Sequence, residues 1–203
     1  MEENIIPELI RNEIKIHLRK KCQDGEDGWS NANQDEDTLT GDFLGQLRSK
    51  TKRTNGWTWR INYHKFSGRG KGAYEKTTGA DGIISIEIEK NSIKRTKSII
   101  FQAKKKGNSK IQEQLDKMNK TLPGGNMVLV YGEDGYFGET GEIFKSDKEV
   151  NSRIGDYLSD IFLECKNGLW GVDYDGVRNE LRIEDQRITK ANIKHRLTIK
   201  AWS

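Results

Sequence analysis

The 203-residue sequence has only two cysteines and two prolines, and it has no long apolar run. Cys22 and Cys165 lack CxxC spacing, which argues against a structural zinc site and a disulfide framework. Cys165 lies in an apolar run that begins at Ile161, so we expect a buried, reduced thiol there. No segment approaches the ~18 apolar residues of a membrane span, and residues 1–4 show no signal-peptide pattern. We therefore expect a cytoplasmic protein without membrane contacts.

The sequence also lacks the G-x-x-x-x-G-K-[ST] loop that would indicate an ATPase motor. Apolar and charged residues each make up 33% of the chain, which suffices for one core beneath a polar surface. We therefore predict a single domain over 1–203. With 21 glycines and two prolines, the composition is not that of a low-complexity chain.

Charges of the two signs are separated along the chain, although the formal net charge is only +4. Arg48 to Lys76 holds nine basic residues and one acid, and Lys90 to Lys106 holds seven basic residues and no acid. By contrast, Asp24 to Asp42 holds seven acids and no basic residue. Two interpretations stay open: an anionic ligand bound on one side of the protein, or ordinary solvated loops.

Apolar residues recur at helical spacing in four parts of the chain. They predict helices over 5–20, 35–47, about 109–120 and 150–165. Asp35 or Asp37 is expected to cap the second helix. Residues 22–34, rich in Gly and Asp, predict an exposed loop.

Strand patterns alternate with these helices. They predict strands over 57–66, 82–89, 98–104 and 126–132. In the second strand we expect the isoleucines at 84, 86 and 88 to face inward and the polar residues at 85, 87 and 89 to face outward. The tail, 180–202, predicts strands or an irregular basic arm. This order of elements predicts an α/β fold with a central sheet flanked by helices.

Asp81, Gln102 and Lys104 are expected to meet at one edge of this sheet. If strands 82–89 and 98–104 pair through the polar link 90–97, the start of the first lies beside the end of the second. Residues 102 and 104 share a face because side chains alternate along a strand, and the Ala103 carbonyl can turn toward the same point. Such hard oxygen ligands suit Mg²⁺.

This pattern resembles the PD-(D/E)xK nuclease superfamily, in which an acid opens one strand and an acid or glutamine precedes a lysine by two residues on the next. The glutamine form is similar to Mrr-type restriction enzymes and to effector nucleases of bacterial anti-phage systems. The resemblance covers about residues 36–132. It implies a restriction-endonuclease-like mixed central sheet flanked by helices, and an endonuclease that hydrolyses phosphodiester bonds in DNA.

The resemblance also implies a role for each matching residue. Asp81, Gln102 and the Ala103 carbonyl would bind Mg²⁺ or Mn²⁺, and Lys104 would assist the attacking water. Glu36 is the best match for the upstream acid of the family, with Glu13 second. No proline precedes Asp81, and Gln102 replaces a carboxylate, so the metal loses one negative ligand unless Glu36 supplies it.

Basic and aromatic side chains near this cluster are candidates for nucleic-acid contacts. Phosphate neutralisation by Lys and Arg provides most sequence-independent affinity for DNA. The candidates for phosphate contacts are Arg69, Lys71, Lys105 and Lys106. The aromatic residues Trp57, Trp59 and Tyr63 are more typical of a core than of a base-stacking surface, and His64 and His195 are interpreted as surface or structural residues.

Ordinary structural roles remain open for the same residues. Asp81 can be a turn former between glycines, Lys104 the first of a solvated lysine triplet, and Glu36 an acid that favours a helix dipole. The alternative function is a non-catalytic subunit that binds nucleic acid or a partner protein. In the nuclease interpretation, we expect control by a homo-oligomer or by a partner ATPase or sensor, an association that rests on analogy alone.

Overall fold

The computed structural model describes residues 5–32, 35–66, 78–107, 111–142, 152–184 and 186–203. Helices in these ranges are α1 (Glu8–Glu26), α2 (Trp29–Ala32), α3 (Glu36–Gln46), α4 (Gln112–Thr121) and α5 (Ile154–Asp156), which continues as a π-helix (Tyr157–Phe162). The strands are β1 (Lys52–Thr54), β2 (Trp57–Lys65), β3 (Gly82–Lys90), β4 (Ile93–Lys105), β5 (Asn126–Gly132), β6 (Gly135–Thr140), β7 (Leu169–Trp170), β8 (Val172–Asp175), β9 (Glu180–Ile183), β10 (Gln186–Lys190) and β11 (His195–Trp202). The predicted α/β class is confirmed. None of the helices in the described part of the chain has the length and apolar character to cross a membrane.

A mixed sheet forms the centre of the molecule. Its order is β1-β2-β11-β3-β4-β5-β6, with β7 paired to β4, and a second sheet has the order β10-β9-β8. Strands β3 and β4 form an antiparallel hairpin, while β4 runs parallel to β5 after a crossover through α4. The last strand, β11, lies between β2 and β3, antiparallel to the first and parallel to the second. The described part of the tail predicted over 180–202 therefore forms strands, β9 and β10 in the smaller sheet and β11 at the centre of the larger one, and not an irregular arm.

Both faces of this sheet are covered. One apolar cluster joins α1 and α3 to the side chains of Ile84, Ile86 and Ile88. A second cluster joins Ile83 and Ile100 to α4 and the smaller sheet. Because neither face meets solvent at its centre, β5 is buried along its whole length.

The helix predicted over 35–47 is confirmed as α3. The Asp35 side chain accepts a 2.8 Å hydrogen bond from the Thr38 backbone N–H, so Asp35 caps this helix. The exposed loop predicted over 22–34 is wrong in its described part, because α1 continues to Glu26, α2 spans Trp29–Ala32 and Cys22 is buried. Residues 33–34 lie outside the described residues. Tertiary contacts override the polar composition: Gly25 packs against the Phe43 ring, and Glu26 accepts a hydrogen bond from the Tyr136 N–H at 3.2 Å.

The outward orientation predicted for Ser85 and Glu87 does not expose them. Both are buried because β8 and its neighbours cover that face of the sheet. Ser85 exchanges a 2.8 Å hydrogen bond with Ser98, which donates to the Val172 carbonyl at 2.7 Å. The predicted link 90–97 is also too long, since β4 begins at Ile93 after a turn.

The region predicted as a helix over 150–165 contains α5 and its π-helical continuation within its described part, which begins at residue 152. Ile154, Leu158 and Phe162 are buried in the core, and Ile161 packs against it while partly buried. The prediction that Cys165 is buried is wrong: the residue is only partly buried, at a turn where its φ is 59°. Cys22 and Cys165 are both free thiols.

Lys97 is a charged side chain in the interior, with 1% of its surface exposed. Its Nζ donates to the carbonyls of Phe162 and Asn167 and lies 4.4 Å from the centre of the Phe162 ring. Burial lowers the pKa of Lys97 from 10.5 to about 8. Between these pH values the unfolded chain binds more protons than the folded chain, so the free energy of unfolding rises with pH in this window.

Between pH 7.5 and 9.5, we expect the free energy of unfolding of the wild-type chain to rise by on the order of 1–2 kcal/mol more than that of Lys97→Met. Urea unfolding at the two pH values measures this difference, and Lys90→Met, at an exposed position, is the control. Identical pH dependence in the wild type and Lys97→Met would show that Lys97 titrates alike in the folded and unfolded chains.

Candidate active site

Asp81 is held between two strands of the central sheet by its backbone. Its N–H donates to the Phe101 carbonyl at 2.9 Å, and its carbonyl accepts from the N–H groups of Lys194 at 2.9 Å and His195 at 3.2 Å. The residue therefore sits where β3 begins, with β4 on one side and β11 on the other. Its position depends on a strand more than one hundred residues away in sequence.

Gly79 shapes the approach to Asp81. It has a φ of 70°, and a Cβ at this position would lie 2.5 Å from the Gln114 carbonyl oxygen in α4. A side chain here would therefore be strained and would push α4 away from the sheet. The glycine lets the segment before Asp81 pass close to the helix.

We expect Gly79→Ala to destabilise the protein more than Gly124→Ala does. Both positions have φ near 70°, but a Cβ at Gly124 meets no atom within 4 Å. The difference isolates the steric contact with α4 and should be about 1–3 kcal/mol. Urea unfolding of both variants measures it, and equal losses would show that α4 does not press on the backbone of Gly79.

The side chain of Asp81 contacts the end of β4. Its Oδ2 accepts hydrogen bonds from the Gln102 Nε2 and, at 2.9 Å, from the Ala103 N–H. The Gln102 Nε2 also lies 3.2 Å from the Ala103 carbonyl oxygen, and Gln102 is 4% exposed. The structure thus joins two side chains 21 residues apart, as the strand pattern predicts.

Lys104 and Glu36 continue this cluster along the same strand. The Lys104 Nζ lies 3.2 Å from the Glu36 Oε2, and the Lys105 N–H donates to the Glu36 Oε1 at 3.1 Å. Glu36 is the first residue of α3, directly after the capping Asp35. Lys104 is only 8% exposed, so its ion pair is shielded from bulk water. Asp81 therefore contacts residues 102 and 103, and Glu36 contacts residues 104 and 105, so the two carboxylates bind consecutive residues at the end of β4.

Glu13, the second candidate for the upstream acid, has a different partner. Its Oε2 accepts a 2.9 Å hydrogen bond from the Trp59 Nε1, which links α1 to β2. Trp57 and Trp59 are buried in the core and Tyr63 is partly buried, as expected for a packing role. Glu13 therefore contributes to the packing of α1, and Glu36 is the acid that reaches β4.

His195 belongs to a polar network that the sequence interpretation missed. The side chain is fully buried, and its Nε2 lies 2.9 Å from the Asp37 Oδ1 while its Nδ1 lies 2.8 Å from the Tyr63 hydroxyl. Burial lowers the pKa of His195. The Lys65 Nζ donates to Asp37 at 2.6 Å. These contacts fix the first turn of α3, and hence Glu36, against β2 and β11.

The basic candidates are distributed unevenly around the cluster. Lys105 is partly buried, and the exposed Lys106 pairs with Asp134 at 2.6 Å. Arg69 and Lys71 lie outside the described residues. Lys90, at the tip of the β3–β4 hairpin, lies at the opposite end of the strands, roughly 25 Å away at ~3.3 Å per residue. The basic segment 90–106 therefore does not flank the cluster along its whole length.

The donor set determines which metal the cluster fits. No group of three or more His, Cys, Asp and Glu side chains able to hold a metal occurs in the described ranges. Mg²⁺ is compatible with fewer protein ligands, because it keeps several waters and is usually bound by one or two carboxylates. The carboxylates of Asp81 and Glu36 and the Ala103 carbonyl are the oxygen ligands of this kind that contact the end of β4.

Gln102 could bind a metal only if its side-chain amide had a different orientation from the one shown. Its amide nitrogen faces Asp81 and the Ala103 carbonyl, so its oxygen points elsewhere. Coordination through Oε1 would require the amide to turn over, exchanging nitrogen and oxygen. In the arrangement shown, Gln102 acts on Asp81 as a hydrogen-bond donor.

Comparison of the chain with protein-family models, with curated proteins and with solved structures finds no match. The cluster therefore has to be interpreted from its own geometry.

Proposed function

We propose that this chain is a Mg²⁺-dependent endonuclease that hydrolyses phosphodiester bonds in DNA. The observation that supports the proposal is the convergence of Asp81, Gln102, Lys104 and Glu36 at the end of β4. These are the residues that resemble the PD-(D/E)xK motif. One of them, Glu36, lies in α3, 68 residues before its partner Lys104.

Each residue has a defined task in this proposal. Asp81, Glu36 and the Ala103 carbonyl would hold Mg²⁺, which when bound supplies positive charge beside the phosphate oxygens and acidifies a bound water. Gln102 and the Ala103 N–H orient the Asp81 carboxylate through their hydrogen bonds. Lys104, held by Glu36, would donate to the attacking water or to a phosphate oxygen. Such donors are already oriented and do not have to reorganise during the reaction. This preorganisation is the main source of electrostatic catalysis.

Charge balance favours a phosphate substrate. Asp81 and Glu36 carry −2 and Lys104 carries +1, so the three side chains sum to −1. One divalent cation changes this sum to +1. The cluster would then attract a phosphodiester, whereas without the cation it would repel one.

A cleavage assay with the purified chain tests the proposal. We expect supercoiled and linear DNA to be cut in Mg²⁺ or Mn²⁺ and to stay intact in EDTA, with matched RNA as a comparison. The alternative is a non-catalytic subunit that binds nucleic acid or a partner protein. It would be favoured if the chain retained DNA on a filter but cut nothing with either metal, alone or with products of neighbouring genes.

The proposal extends to the setting of the enzyme. We propose a cytoplasmic effector nuclease of a bacterial restriction or anti-phage system, controlled by self-association or by a partner ATPase or sensor. Sedimentation with and without DNA measures whether the chain associates with itself.

A further inference from the structure

The start of β11 contacts both of the segments that carry the carboxylates of the candidate active site. The backbone N–H of His195 donates to the Asp81 carbonyl at 3.2 Å, beside that of Lys194 at 2.9 Å. The imidazole of the same residue reaches the first turn of α3, where its Nε2 lies 2.9 Å from the Asp37 Oδ1. Asp37 directly follows Glu36 in the sequence. His195 therefore connects the backbone of one acid to the helical turn that carries the other.

The two ring nitrogens of His195 have different roles. A carboxylate can only accept a hydrogen bond, so Nε2 carries the hydrogen and donates to Asp37. In the neutral ring, Nδ1 then accepts from the Tyr63 hydroxyl at 2.8 Å, and the two rings are stacked. The His195 side chain is fully buried. Turning the imidazole would leave buried polar atoms without partners, which is costly, so this contact fixes the orientation of the ring.

The bond to His195 is the more rigid of the two side-chain contacts that hold Asp37. The Lys65 Nζ also donates to Asp37, at 2.6 Å, but 48% of the Lys65 side chain is exposed. Exposed ion pairs contribute little, because water screens the charges and a long side chain loses conformational entropy. His195 lies instead in a strand that is paired on both sides, with β2 and with β3. The position of Asp37 therefore depends mainly on His195.

A second set of buried contacts holds the same turn of α3 from β5. The Thr40 Oγ1 donates to the Glu36 carbonyl at 2.6 Å, and the Tyr131 hydroxyl donates to the Thr40 Oγ1 at 3.0 Å. Thr40 and Tyr131 are both fully buried. In the sheet, β11 and β5 lie on opposite sides of the β3–β4 hairpin. The first turn of α3 is thus tied to both sides of the hairpin that carries Asp81 and the end of β4.

We propose that His195 is a positioning residue of the metal site, which acts through Asp37 to set where the Glu36 carboxylate lies relative to that of Asp81. The inference rests on the proposed nuclease function for the identity of the bound ion, Mg²⁺. This ion demands near-ideal octahedral geometry, so a displaced carboxylate weakens its binding. Groups that orient metal ligands typically change metal affinity or activity by roughly 10- to 100-fold. Loss of the His195–Asp37 bond therefore raises the Mg²⁺ concentration that the site requires.

Amide hydrogen exchange of Lys105, measured by NMR in EDTA, tests the position of Glu36 without metal or cleavage. The Lys105 N–H donates to the Glu36 Oε1 at 3.1 Å, so its exchange rate reports this contact. The Ile86 N–H, at the centre of β3, reports the opening of the sheet as a whole. In His195→Leu we expect the exchange of Lys105 relative to Ile86 to be at least roughly tenfold faster than in the wild type.

Three further variants complete the comparison. His64→Leu is the matched control, because His64 is exposed on β2 and its ring contacts Phe66, so the exchange ratio should stay at the wild-type value. His195→Gln keeps a side-chain N–H that can donate to Asp37, and it should restore most of the protection of Lys105. Asp37→Ala removes the acceptor at a partly exposed position. It should accelerate Lys105 exchange as His195→Leu does, and it serves in its place if that variant does not fold.

Cleavage of linear DNA over a range of Mg²⁺ concentrations is the second measurement. We expect His195→Leu to need at least roughly tenfold more Mg²⁺ for its half-maximal rate, with a maximal rate close to that of the wild type. His195→Gln should shift the requirement much less. A role of His195 in folding alone would reduce the amount of active protein and leave its Mg²⁺ requirement unchanged.

The two measurements separate this inference from the nuclease proposal. Equal exchange ratios in Asp37→Ala, His64→Leu and a folded His195→Leu protein overturn the positioning role. Faster Lys105 exchange with an unchanged Mg²⁺ requirement also overturns it, since Glu36 would then move without affecting the metal. If the exchange ratios differ but the wild-type chain cuts no DNA with any metal, the nuclease proposal fails while the hold of His195 on Glu36 stands. If DNA is cut and His195→Leu changes neither quantity, only the positioning role is refuted.

Discussion

Replacing Lys104 by alanine should lower Mg²⁺-dependent DNA cleavage by at least ~100-fold, the typical cost of removing one preorganised electrostatic group. The Lys104 Nζ is the buried cation of the cluster, 3.2 Å from Glu36. Without it, the cluster loses the ammonium group that would orient the water or balance charge on the phosphate. Initial rates on linear DNA at saturating Mg²⁺, with circular dichroism to verify folding, measure the effect.

Lys106→Ala is the matched control for this experiment. Lys106 lies two residues further along the chain, is exposed and pairs with Asp134. Surface pairs of this kind contribute ~0–1 kcal/mol, so its loss should weaken DNA binding modestly and leave the maximal rate nearly unchanged. Undiminished cleavage by a folded Lys104→Ala protein would remove Lys104 from the mechanism and favour the solvated-triplet interpretation.

Replacing Glu36 by glutamine should also reduce cleavage by at least ~100-fold, and it should raise the Mg²⁺ concentration needed for half-maximal rate. Gln102 is neutral, so in the proposed site Glu36 supplies the second carboxylate beside that of Asp81. Glutamine keeps the size of the side chain and an oxygen that can accept from the Lys105 N–H. The loss would therefore report charge and not packing.

Glu13→Gln provides the comparison for Glu36→Gln. Its side chain accepts a hydrogen bond from Trp59, which a glutamine oxygen can also accept, so cleavage should stay near the wild-type rate. If Glu36 served only the dipole of α3, its replacement would cost ~0.3–1 kcal/mol of stability and spare the activity. Activity that survives Glu36→Gln but falls in Glu13→Gln would reverse the assignment.

The approach of Asp81 to Gln102 was predictable because it depends on local rules. Alternation along a strand and an antiparallel hairpin suffice to bring residue 81 beside residues 101–103. Glu36 was harder to identify, since a helix can approach a sheet in many ways. Only the structure distinguishes it from Glu13, by their different partners, Lys104 and Trp59.

Long-range features could not be predicted from sequence patterns. The insertion of β11 between β2 and β3 joins segments with no local signal for each other, and it also creates the His195–Asp37 contact across 158 residues. The burial of Ser85 and Glu87 depends on the second sheet, formed by β8, β9 and β10. Alternation identified their face correctly, but it carries no information on what covers that face.

The most direct test of the central claim is the position of a bound Mn²⁺ ion, located by anomalous scattering in crystals of the wild type and of Asp81→Asn. We expect one ion in the wild type, coordinated by the carboxylates of Asp81 and Glu36 at roughly 2.0–2.3 Å, and no ion at that point in the variant. An ion bound elsewhere, or equally well in Asp81→Asn, would contradict a metal-dependent reaction centre at the end of β4.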